Sequence, residues 1–214
     1  GDEFTLFYYK YEKEALIQKI EALKALQSGL KAQLRDGLTV DLRFSMGSSM
    51  AYGAVDYDKM YREADEKMYE DKRMRKKLAE EIAMSQKAAN ATWRDISDIS
   101  FEEGDRYLLA NLIYCEAGGE PYDGQLAVAS VVINRVRSSV YPNTVVGVIY
   151  QNKQFSPVAS GRLELALATN KATSRCYQAA DEAMSGVTNV GNCVYFRTPV
   201  EGLTGINIGG HVFY

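Results

Sequence analysis

The sequence predicts an α+β chain in two parts: a charged half mixing strands with long helices, then a mainly helical domain closed by short strands. Three observations lead there. Charged residues are dense as far as Arg94 and sparse beyond it, in a chain of 214 residues with net charge −3. In the first half, one apolar segment alternates while others recur at helical spacing. In the second half, the segment from Gln125 to Val136 is apolar nearly all round, the mark of a helix packed on several sides.

Taken in order, Phe4 to Tyr11 is aromatic-rich and predicts a strand. Leu16, Ile20, Leu23 and Leu30 recur at near-helical spacing, predicting a long amphipathic helix from Glu12 to about Leu34 that Asp36-Gly37 ends. Leu38 to Phe44 alternates as a half-buried strand, and Ser45 to Gly53 reads as a loop. Tyr57 to about Met84 is helical again, its charges forming a solvated face. Residues 85–102 lose periodicity and read as a linker, which Trp93 docks rather than binding a ligand. Helices are then expected around 104–117, 123–138, 144–151 and 172–185, with strand ends at Gly191–Phe196 and His211–Tyr214. The resulting division is 1–84, a linker 85–103, and 104–214.

The segment Leu112-Ile-Tyr-Cys-Glu116-Ala-Gly-Gly-Glu120-Pro121 ends an apolar run with an acid and then turns the backbone. Gly118, Gly119 and Pro121 stop helices, so Glu116 falls in a last turn. Unpaired carbonyls there oppose a negative charge, and burial against Leu112 and Ile113 adds to this, so both raise the carboxyl's pKa. An acid kept protonated near neutrality can donate a proton. An ordinary solvated carboxylate at a helix end is the competing reading. Gln125 and Asn134, on the apolar helix, must either satisfy backbone groups or face a cleft, because an unpaired buried amide costs about 1–3 kcal/mol.

Composition narrows the chemistry. The acidic balance provides no basic field for nucleic acid. The single histidine, His211, argues against a zinc hydrolase with two or three imidazoles, and no metal or cofactor is called for. Three cysteines without metal-ligand spacing leave open a disulfide between Cys176 and Cys193 or two small buried side chains. No stretch approaches the roughly 20 apolar residues of a membrane span, and no basic-then-apolar leader opens the chain. Because residue 1 is Gly, that says little about export.

Residues 104–214 resemble the SleB-type spore cortex-lytic cell wall hydrolase family. The likeness is carried by Glu116-Ala-Gly-Gly-Glu120-Pro121, Gly124-Gln125, Asn134-Arg-Val136, Tyr141-Pro-Asn-Thr144, Val148-Ile-Tyr-Gln151, Gln154-Phe-Ser156 and His211-Val-Phe, in that order. The resemblance implies a compact, mainly helical lysozyme-like fold that cleaves peptidoglycan, at the cell wall or outside the cell. It implies Glu116 as general acid/base, with Glu120, Gln125, Asn134, Phe155, Ser156, Tyr195 and His211 lining or supporting the groove. It further suggests lytic transglycosylase chemistry between N-acetylmuramic acid and N-acetylglucosamine, which one carboxyl can perform. A retaining or inverting hydrolase instead needs two carboxylates, for which Glu120 is the natural second.

Residues 1–77 resemble the C-terminal part of a GGDEF diguanylate cyclase domain, through Gly1-Asp-Glu-Phe4, Leu38-Thr-Val40, Phe44-Ser-Met-Gly47 and the run from Tyr61 to Lys72. The first signature Gly and everything before it are absent, and Arg75-Lys-Lys77 replaces the usual ending. The resemblance therefore implies an incomplete α/β half domain without cyclase turnover. Two further readings stand beside the glycan cleavage: a cysteine amidase or peptidase using Cys115 and His211 on the peptide stem, and a wall-binding module without turnover.

Overall fold

The protein is described by a computed structural model covering residues 4–8, 10–26, 30–33, 37–42, 44–200 and 202–214. Gly1, Asp2 and Glu3 of the signature-like turn, and Asp36 of the expected helix stop, lie outside the described residues. The chain divides into two compact units, residues 1–79 and 80–214. Among the described residues no helix is long and apolar enough to cross a membrane.

In the first unit, α1 (Lys13–Leu26) opens with Glu14 and closes with Lys24, each charge complementing the helix dipole. It stops well short of Leu34, because Lys31–Gln33 forms a strand, β1, antiparallel to β2 (Thr39–Asp41) with Ala32 opposite Val40. The sequence already holds a weak helix former at Gly29, inside the expected helix. The described residues from Phe4 to Tyr11 form no strand, and Phe4 is 89% exposed. Strand composition alone does not make a strand, and this run pairs with none among the described residues. The loop before α2 (Tyr57–Ala89) is pinned to that helix by polar bonds: Ser49 Oγ donates to Glu63 at 2.7 Å and Lys67 Nζ to the Ser48 carbonyl at 2.8 Å. Among the described residues of this unit none is buried, so surface hydrogen bonds rather than a dry core hold it.

The second unit has such a core. Its axis is α4 (Tyr122–Arg137), in which every residue from Gly124 to Val136 is buried. Around it pack α3 (Asp105–Ala117) and α8 (Ser174–Met184), with α5 (Val145–Ile149) alongside. Leu109, Leu112, Ile113, Val128, Val132, Ile149 and Leu163 are fully buried, or nearly so, between them. Two helices absent from the expected list, α6 (Ser156–Ala159) and α7 (Arg162–Thr169), follow α5, and α7 lies against α3. The sheet is antiparallel in order β3 (Phe196–Arg197), β5 (His211–Phe213), β4 (Ile206–Ile208). Gly209-Gly210 makes the two-residue turn between β4 and β5, with Gly209 at φ +57°.

Residues 85–102 do not form a free linker. The helix α2 runs on to Ala89, Ala88 is buried, and Trp93 Nε1 donates to the Ala88 carbonyl at 3.0 Å. Trp93 also bridges Ser138, and Arg94 donates to the Val136 carbonyl at the C-terminal end of α4. Glu81 ties the same stretch to the sheet, accepting from Tyr214 Oη at 2.8 Å and pairing with Arg197 at 3.3 Å. The segment lacks periodicity because it is fastened point by point instead of burying one continuous face.

This contrast in burial sets an expected order of cleavage. Under limited trypsin digestion, Lys13, Lys19 and Lys24 on coreless α1 are cut well before Arg135 in buried α4, read by mass spectrometry of timed aliquots. Equal rates at the two sets would show that the first unit is as well protected as the second.

Candidate active site

Glu116 is the penultimate residue of α3, which ends at Ala117 before Gly118 and Gly119 turn the chain. Its carboxyl is half-buried and accepts no hydrogen bond among the described residues. Burial pushes its pKa above the ordinary value of 4.5, while the Arg162 guanidinium pulls the other way. That guanidinium stands at the start of α7, where Arg162 donates to the Cys115 carbonyl at 2.5 Å, and the Cys115 thiol points back to the Arg162 carbonyl at 3.7 Å. A cation thus caps the carbonyl end of α3 beside the acid. Between α3 and α7 opens a cavity of about 550 Å³ lined by Tyr114, Cys115, Gly118, Gly119, Arg162, Leu165, Ala166 and Lys171.

Glu120 sits across the Gly-Gly turn from Glu116 and faces the β4–β5 hairpin. Its Oε2 accepts from the Gly210 N–H at 3.0 Å, and its Oε1 lies 3.9 Å from His211 Nδ1. A Cβ at Gly209, where φ is +57°, would stand 1.9 Å from that Oε2, so a side chain there would strain the turn and displace this carboxylate. His211 is otherwise surrounded by rings, edge-on to Phe196 at 5.4 Å and to Phe213 at 6.2 Å.

The other expected site residues fall into two groups. Gln125 and Asn134 are 3% and 2% exposed. Gln125 Nε2 donates to the Glu120 carbonyl at 3.2 Å, and Asn134 Nδ2 to the carbonyls of Gly191 and Cys193 at 2.7 and 2.9 Å. Of the two possibilities open from sequence, the backbone-bonded one is observed. Phe155 and Tyr195 are also buried, whereas Ser156, at the start of α6, is exposed.

Phe155 and Tyr195 belong to a cluster organised by Arg135, which sequence reasoning passed over inside the Asn134-Arg-Val136 block. Arg135 is 2% exposed, and its guanidinium lies 4.7 Å from the Tyr195 ring centre and 5.3 Å from those of Phe155 and Tyr141. Its Nε donates to the Val194 carbonyl at 2.6 Å, and burial pushes its pKa down. Ring faces flank the guanidinium, and the Glu81 carboxylate acts on it through its charge.

Arg162, Leu165, Lys171 and Tyr114 were also not singled out by sequence. Leu163, Leu165 and Leu167 alternate, a period-two pattern that hides a helix, so α7 and its charges went unread. All three cysteines are free, leaving Cys176 and Cys193 unpaired. Burial pushes the Cys115 thiol up, away from thiolate. His211 makes no contact with Cys115 among the described residues; the partners of each are different.

Residues 119–214 match the family described as Cell Wall Hydrolase. The spore cortex-lytic enzyme of Oceanobacillus iheyensis is 36% identical over 121 residues, covering 53% of this chain and 42% of that protein. That of Bacillus cereus is 41% identical over 99 residues, covering 46% of this chain and 36% of its own length. The chain therefore spans less than half the length of these curated relatives. The crystal structure of the catalytic domain of the Bacillus cereus SleB protein is 36% identical and covers 53% of this chain and 91% of that domain, at a TM-score of 0.46. The catalytic domain of the germination-specific lytic transglycosylase SleB from Bacillus anthracis is 35% identical, with coverages of 53% and 96% and a TM-score of 0.46. The family match begins at Gly119, just after Glu116, so the acid rests on its own geometry. Through residues 119–214, somewhat less than half of the chain, the second unit is similar to the cell wall hydrolases.

Proposed function

We propose that the second unit cuts peptidoglycan glycan strands between N-acetylmuramic acid and N-acetylglucosamine as a lytic transglycosylase, with Glu116 as both acid and base. The observation that carries this is a half-buried carboxyl in the last turn of α3, raised in pKa and bound to no donor among the described residues. The protonated acid gives its proton to the glycosidic oxygen as the bond from C1 of the muramic residue breaks. The resulting carboxylate takes the proton of the muramic 6-hydroxyl, whose oxygen attacks C1 and closes a 1,6-anhydro ring. Glu116 ends protonated, and no water is consumed. The relatives' printed names, spore cortex-lytic enzyme and lytic transglycosylase, support the substrate and the reaction class.

Hydrolysis through two carboxylates is supported less well, because the second candidate, Glu120, is engaged by the Gly210 N–H beside His211. On this reading Glu120 braces the hairpin, and Gln125, Asn134, Phe155 and Tyr195 form the framework under the groove. Ser156 and His211 remain candidates for contact with the strand. The enzyme acts at the cell wall, where its substrate lies. For the first unit we propose a GGDEF-like scaffold; its support is the motif order through Lys72 of α2.

Purified peptidoglycan digested by the chain should release fragments with 1,6-anhydromuramic ends, identified by mass spectrometry. Glu116→Gln should lower the rate by about 10²–10⁴-fold, the usual contribution of general acid catalysis. Its Tm at neutral pH should not fall. A carboxyl with raised folded pKa contributes stability below its unfolded pKa and loses it as pH rises through the folded value, so at pH 7 the neutral amide removes a cost. Glu120→Gln should keep turnover but lose about 1 kcal/mol of stability, since its charged bond to Gly210 is partly screened. Cys115→Ser should remain active. Full activity in Glu116→Gln, or new reducing ends in place of anhydro ends, contradicts the proposal.

The rate should also fall as pH rises through the Glu116 pKa, because the first step needs the protonated acid. Arg162 holds that pKa down, so Arg162→Gln should move the alkaline limb of the kcat profile to higher pH. A shift to lower pH would show that Arg162 does not act on the proton donor.

A further inference from the structure

The cavity between α3 and α7 is left unused by glycan cleavage at Glu116. Its lining includes Cys115 and Gly118, which bracket the acid in sequence, and Arg162, whose charge acts on Glu116. Two cations, Arg162 and Lys171, line it and no carboxylate does, in a chain whose net charge is negative. Arg162 gives one N–H to the Cys115 carbonyl, one of the five a guanidinium carries. The Lys171 ammonium has no hydrogen-bond or ion-pair partner among the described residues. The remaining wall is apolar and open: Leu165 is 65% exposed and Tyr114 39%. A cavity of about 550 Å³ is far larger than a single ion needs and falls in the range of small-ligand sites.

The glycan chain itself has little use for two positive charges. Its amino sugars are N-acetylated and its muramic lactyl carboxylate is consumed in an amide, so negative charge resides on the stem peptide that the lactyl group carries. Alanine methyls of such a stem suit the Leu165 face, and its carboxylates suit the cations. We propose that the α3–α7 cavity is a subsite for the anionic stem peptide of a muramic residue next to the scissile bond, with Arg162 and Lys171 receiving its carboxylates. This rests on the reading that Glu116 cuts peptidoglycan.

Two measurements test it separately from that reading. In the first, the free tripeptide L-Ala-γ-D-Glu-diaminopimelate is titrated into the ¹⁵N-labelled chain. The amides of Gly118, Gly119 and Leu165 should shift, and the shifts should be lost in Lys171→Glu, a substitution at an exposed side chain. In the second, kcat/KM is compared on peptide-bearing strands and on the same strands stripped of stems by an amidase. The preference for the peptide-bearing form should fall about tenfold in Lys171→Glu, through KM. No shift with the tripeptide, shifts that persist in Lys171→Glu, or shifts produced instead by an uncharged chitin oligosaccharide would overturn the subsite even if strands are cut. Shifts at these amides without any strand cleavage would uphold the subsite and overturn the role of Glu116.

Discussion

The dry environment of α4 is the constraint on which the second unit depends. Thirteen consecutive residues, Gly124 to Val136, are out of water, three of them carrying amide or guanidinium groups. None of the three can be left unpaired without a cost of about 1–3 kcal/mol, more for a charge. Each therefore bonds to the backbone of a different neighbour: Gln125 to the Glu120 carbonyl, Asn134 to the 191–193 loop, Arg135 to Val194. These bonds decide where the α3–α4 corner and the start of the sheet can lie. With the corner in place, Glu120 reaches the Gly209-Gly210 turn, and the hairpin closes one side of the site.

The same burial sets the electrostatics of Glu116. A carboxyl in the last turn of α3 meets partial negative charge from the helix end and loses solvent to the packed core, so its ionised form is disfavoured. Arg162 opposes this from α7 while satisfying a carbonyl of that turn. The acid is held between two opposing influences, neither of which comes from a second carboxylate. On the proposed role of Glu116, the site gives up a little stability at neutral pH for a proton donor, the ordinary exchange between stability and function.

Much of this was legible in the sequence, and the failures have physical causes. The placement of Glu116 followed from Gly118, Gly119 and Pro121, and the burial of α4 from its unbroken apolar run. Gln125 and Asn134 were recognised as buried amides, but sequence could not say whether their partners were backbone or substrate, since both satisfy the same donors. Arg135 was missed because a charged residue within an apolar run gives no sign that three rings will surround it. The wall formed by α7 was missed because its leucines alternate, and a cavity between two helices leaves no mark in either one. In the first half, the run Phe4–Tyr11 has strand composition but pairs with no strand among the described residues, and Lys31–Gln33 left a helical pattern to pair with Thr39–Asp41.

Glycan cleavage by Glu116 turns on one proton, which can be titrated directly. With glutamate side chains ¹³C-labelled and the Glu116 carboxyl signal assigned by its loss in Glu116→Gln, the chemical shift can be followed against pH. The expected midpoint lies above 4.5 and moves higher still in Arg162→Gln. A midpoint at or below 4.5, unmoved by that substitution, would contradict it.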